Sequence, residues 1–310
     1  MLQTVSKAFF HTLAGSHSLR KVASRYGMRQ GGFARRFVAG ETVDEAIDAA
    51  RDIERARLHI TLDYLGESVA SIAEADAATR AYLAVLDRIE AAGIERNVSL
   101  KLTQLGLTID RATSVDNLRR ILDAATSGRF FVRIDMENSP YTAVTLDVFE
   151  TMWQQGYRNA GVVLQSYLRR SLEDVERMIT LGARVRLVKG AYNEPKTVAY
   201  QAKTDVDASF VRLMRLLLAK GVYPAIATHD PAMIAATRAF AAEQSIGSDK
   251  FEFQMLYGIR RDLQTKLTAD GFRVRVYVTF GREWFPYFMR RLGERPANVG
   301  FVIRGMARER

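Results

Sequence analysis

The chain is expected to fold as an α/β protein, a closed eight-stranded β/α barrel of the TIM type preceded by a helical extension. Three observations predict this. Eight short apolar runs recur from residue 60 to residue 278, each followed by a segment with helical apolar spacing. Eight strands alternating with helices over about 250 residues mark a closed parallel barrel, whereas a doubly wound sheet usually has fewer strands. The 310 residues, 48% of them hydrophobic, are enough for one large core.

The elements follow in order. Residues 1–57 read as a helical arm. The opening MLQTVSKAFFHTLAGSH has an apolar stretch broken by His11, so it reads as an amphipathic helix rather than a signal peptide. Thr42-Val43-Asp44-Glu45 is a capping box, and Ile47, Ala50 and Ile53 carry helical spacing beyond it. Residues 58–310 read as the barrel domain. Its strand runs are ITLDYLGE (60–67), NVSLKL (97–102), FFVRID (130–135), GVVLQS (161–166), RVRLVKG (184–190), YPAIATH (223–229), FEFQM (251–255) and RVRVYV (273–278). Helical segments lie between them at 74–92, 114–125, 143–156, 172–181, 206–220, 231–243 and 259–269. A last helix is bracketed by Pro286 in its first turn and Pro296 past its end.

Composition removes several chemistries. There is no cysteine, hence no disulfide, thiolate metal site or thiol nucleophile. The four histidines show no ligand spacing on a helix, so no metal is expected. No apolar run is long enough to span a membrane, and no G-x-G-x-x-G follows any strand. The net charge of +10 is scattered among acids, without basic runs or stacking aromatics. That favours a basic surface and an anionic ligand over nucleic acid.

In such a barrel the chemistry sits where strands end. Those ends carry Lys101, Asp135, Gln165, Lys189-Gly190, Thr228-His229, Gln254 and Tyr277. Each is also explained by a strand emerging into solvent. Arg186 lies among Val185, Leu187 and Val188, where a buried cation needs an anion, either a ligand or an acid such as Asp135. Gly190-Ala191 would let backbone approach a ligand closely. On the last helix Tyr287, Arg290, Arg291 and Glu294 share one face. That face suits either a solvated Arg290–Glu294 ion pair or a paired-arginine grip on a carboxylate.

SLKL (99–102), RIDMEN (133–138), VVLQSYLRRS (162–171), RLVKGAY (186–192), ATHD (227–230), FEFQMLYGIR (251–260) and YFMRRLGERPAN (287–298) together resemble the proline dehydrogenase family. The likeness is to its short bacterial monofunctional members, whose barrel also forms one domain of bifunctional proline-utilisation enzymes. The resemblance implies a distorted barrel with a final helix over its mouth and non-covalent FAD at the strand ends. It implies oxidation of L-proline to pyrroline-5-carboxylate by hydride transfer, with electrons passed to a quinone. Asp135 and Arg186 would be the catalytic pair, Asp135 bracing the site and Arg186 beside the flavin. Lys101, Arg290 and Arg291 would hold the substrate carboxylate, with Tyr277 and Tyr287 around the ring. Met136, Gln165, Arg186, Lys189, Gly190, Ala191, Thr228, His229 and Gln254 match flavin-contacting positions, and no residue matches a metal ligand. After Tyr277 the family commonly has a proline-aromatic-glycine run, where this chain has Val278-Thr279-Phe280-Gly281. A cytoplasmic protein touching the anionic inner face of a membrane suits the quinone and the basic surface. The rival readings are a Schiff-base aldolase using Lys101 or Lys189 and a nucleic-acid-binding module.

Overall fold

The computed structural model describes residues 27–28 and 32–294. The opening amphipathic helix and Pro296 lie outside them. Every expected strand run becomes a strand: β1 (His59–Tyr64), β2 (Asn97–Leu100), β3 (Phe131–Ile134), β4 (Ala160–Gln165), β5 (Arg184–Val188), β6 (Ala225–Ala227), β7 (Glu252–Leu256) and β8 (Val274–Phe280). They pair in sequence order, all parallel, and the barrel closes where β1 meets β8 from His59↔Arg275 to Tyr64↔Phe280. Between the strands lie α2 (Ile72–Ala92), α3 (Arg111–Ser127), α4 (Thr142–Gln154), α5 (Ser171–Leu181), α6 (Lys203–Lys220), α7 (Pro231–Glu243) and α8 (Arg261–Ala269).

Before the first strand, α1 (Val43–Arg55) begins at the expected capping box, with the Thr42 side chain accepting from the Glu45 N–H and the Glu45 carboxylate accepting from the Thr42 N–H. Although it belongs to the arm in the sequence reading, α1 packs on β1, β8 and α2, and buries Ala46, Ile47 and Ala50 in the main core. It therefore fills the place in the outer ring that a regular barrel gives to the helix after β8. That last helix, α9 (Trp284–Glu294), lies instead over the mouth. Its Trp284, Phe285, Phe288, Met289 and Leu292 pack with Phe37, Val38, Leu65 and Ile259, just beyond the strand ends. Here is the distortion of the barrel, and it has a local cause. The segment before α1 clamps the end of β8: the Ala39 N–H donates to the Thr279 carbonyl and the Gly281 N–H to the Gly40 carbonyl. Gly281 turns the chain with φ +122°, a conformation side-chain-bearing residues rarely adopt.

The strand of RVRVYV runs past Tyr277 to Phe280, which corrects its expected end. Thr279 is buried, with its hydroxyl donating to the Phe37 carbonyl at 3.1 Å, and Phe280 packs on Tyr64. The departure from the family pattern thus anchors the segment before α1.

Alternation along the strands separates two environments. Ile60, Leu62, Val98, Leu100, Val132, Ile134, Val185, Leu187, Phe253 and Val276 point out into the helices, each contributing about 1.5–3 kcal/mol on burial. The lumen is polar and charged. In its N-terminal half Arg275 donates to both Glu252 oxygens (2.7 and 3.0 Å), to Glu95 (2.7 Å) and to the Ile60 carbonyl (2.6 Å). Arg133 donates there to the carbonyls of Val162 and Arg184.

Candidate active site at the strand ends

In the C-terminal half of the lumen the side chains converge on Asp135. Arg186 Nη1 donates to its Oδ1 at 2.7 Å, the Tyr277 hydroxyl donates to its Oδ2 at 2.6 Å, and Lys101 Nζ stands 3.8 Å away. Each Arg186 nitrogen has a partner, since Nη2 donates to Ser99 Oγ at 3.0 Å and Nε to Gln254 Oε1. The guanidinium also lies 5.1 Å from the Tyr277 ring centre. Lys101 donates to Asp63 Oδ1 at 3.1 Å, and Asp63 Oδ2 is buried with no hydrogen-bond partner among the described residues. The acid that the sequence required for Arg186 is thus Asp135.

Electrostatics define the charge states. Burial would lower the Lys101 pKa, but the facing carboxylates of Asp63 and Asp135 push it up, so Lys101 is a fixed cation. Burial raises Asp63 against the pull of Lys101. Burial, then the charges of Asp135 and Asp63, hold the Tyr277 hydroxyl protonated well above its ordinary range.

A second arc runs over β3 to β7. Gln165 donates from Nε2 to the Met136 carbonyl at 3.4 Å, while its Oε1 is buried with no partner among the described residues. Gly190 has φ +115°, and a Cβ there would stand 2.3 Å from the Tyr167 ring, so only glycine fits before Ala191. Thr228 Oγ1 accepts from the Asp230 N–H, and His229 Nε2 accepts from the Leu256 N–H at 2.9 Å, which places the neutral ring's proton on Nδ1. Lys189 forms ion pairs with Asp207 and Asp230. It does not join the Asp135 cluster by any hydrogen bond among the described residues.

From above, α9 brings in Arg290, whose Nη1 and Nη2 lie 2.6 and 3.3 Å from the two Glu67 oxygens. Its side chain is only 14% exposed. Arg290 is thus half-buried, and among the described residues it meets an acid from the loop after β1, Glu67. Arg291 lies 5.0 Å from the Tyr287 ring centre, and both residues are buried. A cleft of about 460 Å³ is lined by Tyr64, Glu67, Lys101 and Arg290, which places two of the expected carboxylate-binding cations on one space. A larger groove of about 770 Å³ lies outside the ring between α5, α6 and α7 and contains none of the expected residues.

Sequence reasoning missed Asp63, Ser99 and Glu67. For the first two a signal existed: Thr61 and Asp63, like Ser99 and Lys101, are polar at alternate positions of apolar strands, which points them into the lumen. Glu67 had none, because its partner is contributed 223 residues later.

Charged groups held in the lumen beneath a cleft at the C-terminal ends of a closed parallel barrel define a barrel enzyme. Comparison with known proteins identifies the kind. The family model described as proline dehydrogenase matches residues 46–304, and the chain belongs to that family. It is 41% identical over 300 residues to proline dehydrogenase 1 of Bacillus subtilis strain 168, covering 97% of this chain and 98% of that one. It is 44% identical over 277 residues to proline dehydrogenase of Deinococcus radiodurans, covering 88% and 89%. Among solved structures it resembles proline utilization A (PutA) from Bdellovibrio bacteriovorus inactivated by N-propargylglycine, with TM-score 0.79 and 27% identity over 84% of this chain. The match spans 32% of that longer chain. Among the described residues no helix is long and apolar enough to cross a membrane.

Proposed function

We propose that this chain oxidises L-proline to pyrroline-5-carboxylate, the first step of proline catabolism to glutamate, using non-covalently bound FAD. The observation that carries the reading is that Lys101, 3.8 Å from Asp135 in the Asp135–Arg186–Tyr277 cluster, also lines a cleft together with Arg290. A small zwitterion bound beside Lys101 would turn its carboxylate toward the cations and its ring toward Tyr277 and Tyr287. In this reading Arg290 and Arg291 grip the carboxylate, and Lys101 adds a cation that burial among acids keeps protonated. A permanently charged Lys101 is a poor Schiff-base nucleophile, which disfavours the aldolase alternative.

The second arc suits a flavin. The Gln165 Oε1 atom is a buried acceptor that lacks a donor among the described residues, such as a ring N–H would supply, and the Gly190-Ala191 backbone can approach a planar ligand closely. Met136, Lys189, Thr228, His229 and Gln254 complete the set of residues that would hold FAD. When bound, FAD supplies the two-electron acceptor. Arg186, locked by Asp135, Ser99 and Gln254, would set a positive charge beside it and favour its electron-rich reduced form. Electrons would leave to a quinone at the inner face of a membrane, where a basic surface suits anionic lipid.

The purified protein is expected to be yellow and to bleach with anaerobic L-proline. A protein shown to be loaded with FAD that kept its colour under excess proline would refute the substrate assignment.

A further inference from the structure

Beneath the site a polar relay joins the two halves of the lumen. Gln254 donates from Nε2 to Glu252 Oε1 at 2.5 Å, and its Oε1 accepts from Arg186 Nε. The chemistry at both ends fixes this orientation. An ionised carboxylate can only accept and a guanidinium Nε–H can only donate, so a flipped amide would set donor against donor and acceptor against acceptor. Glu252 is kept ionised by Arg275: burial would raise its pKa, but the Arg275 charge and hydrogen bonds bring it below the usual value. Glu252 is 3% exposed and does not line the cleft, so it reaches a ligand-facing position only through Gln254.

We infer that Glu252 is a positioning residue for the reaction, acting through Gln254 to hold the Arg186 guanidinium in register with Asp135. Without the carboxylate the Gln254 amide loses its orienting partner, and the Nε side of Arg186 loses a fixed acceptor. Asp135 and Ser99 still hold the two terminal nitrogens, so the guanidinium stays in the lumen but can tilt about those two contacts once its Nε acceptor is no longer fixed.

This inference rests on the reading of Arg186 as the flavin-side cation, and its test separates the two. The Arg186 Nε–H resonance, assigned by its loss in Arg186→Lys, is followed by nitrogen-labelled NMR on the purified protein, together with the rate of flavin reduction by proline. Glu252→Gln should move that resonance, speed its exchange with water, and slow reduction roughly 10-fold with little change in KM, the scale of one hydrogen bond to a charged group. Glu252→Asp keeps the charge beside Arg275 but withdraws one methylene from Gln254, so it should reproduce the defect; native behaviour in this variant overturns the relay. Glu95→Gln removes the other acid from Arg275 without touching Gln254 and should leave both readouts native. An Arg186 Nε–H unmoved in both Glu252 variants overturns the inference, as does an equal defect in Glu95→Gln. A moved resonance in a protein that proline does not reduce would uphold the relay and sink the proline assignment instead.

Discussion

In the N-terminal half of the lumen Arg275 directs its donors at two carboxylates and a carbonyl, and Arg133 reaches two carbonyls, with the Arg133 Nε atom left over. In the C-terminal half Lys101, Asp135, Arg186 and Tyr277 form a similar network, yet Asp63 Oδ2 and Gln165 Oε1 are buried with no hydrogen-bond partner among the described residues. The two halves share residue types and burial. They differ in the kind of hydrogen-bonding capacity left over among the described residues: an arginine donor below, two acceptors above. Buried unsatisfied groups are costly, so the two acceptors of the upper half call for a reason beyond stability.

That contrast can be broken from either side. The largest effect is expected below. Arg275→Met leaves Glu252 and much of Glu95 without their cation, and should cost about 3–5 kcal/mol in urea unfolding. A loss under about 1 kcal/mol would mean that the lower network is ornamental.

Above, Arg186→Met should slow flavin reduction by about 10²–10³ while leaving proline KM nearly native, because it removes a preorganised charge rather than a substrate contact. An unchanged reduction rate in the FAD-loaded variant would make the Arg186–Asp135 pair structural, like those beneath it.

Next in size is Arg291→Ala, expected to reduce kcat/KM for proline roughly 10- to 150-fold, one charge-assisted bond of about 1.5–3 kcal/mol. Arg290→Ala should behave similarly, and the double variant should be less than additive because both serve one carboxylate. Prolinamide, lacking the negative charge, should be turned over weakly and nearly independently of either arginine. Near-native KM in both single variants would remove α9 from the substrate site.

The smallest effect concerns pH. Burial alone would raise Glu95, but the hydrogen bond from His59, the charge of Arg275 and the Ile60 N–H hold its carboxyl at about 2 against an ordinary 4.5. A depressed acid adds stability that is complete above its unfolded value and is lost as pH falls from about 4.5 through about 2. Glu95→Gln should therefore flatten the acid limb of the stability curve, by on the order of 1–2 kcal/mol after solvent screening. An identical acid limb in both proteins would show that Arg275 does not depend on this partner.

Much of the upper half was legible in advance. Periodicity placed all eight strands because alternation and run length are local properties. Lys101, Asp135, Gln165, Gln254 and Tyr277 stood out as polar residues at the ends of apolar runs, and the capping box at Thr42 needs only four consecutive residues. An arginine inside an apolar strand announced that an anion must meet it. The resemblance supplied the pairing of these residues with a flavin and a carboxylate, which spacing alone left open.

The partners were decided by closure. Whether Arg186 meets Asp135, Arg275 meets Glu252 and Glu95, or Arg290 meets Glu67 depends on strands brought side by side across 23 to 223 residues of chain. The place of α9 is of the same kind. Its sequence specifies a helix with an aromatic face, but α1 already occupies the ring position beside β8 and β1, so that face seals the mouth and carries Arg290 and Arg291 over the site. The sequence by itself determined which segments are strands and which residues are too polar to be ordinary core. Only the closed barrel decided which charges face one another, because that depends on contacts between segments that local sequence does not encode.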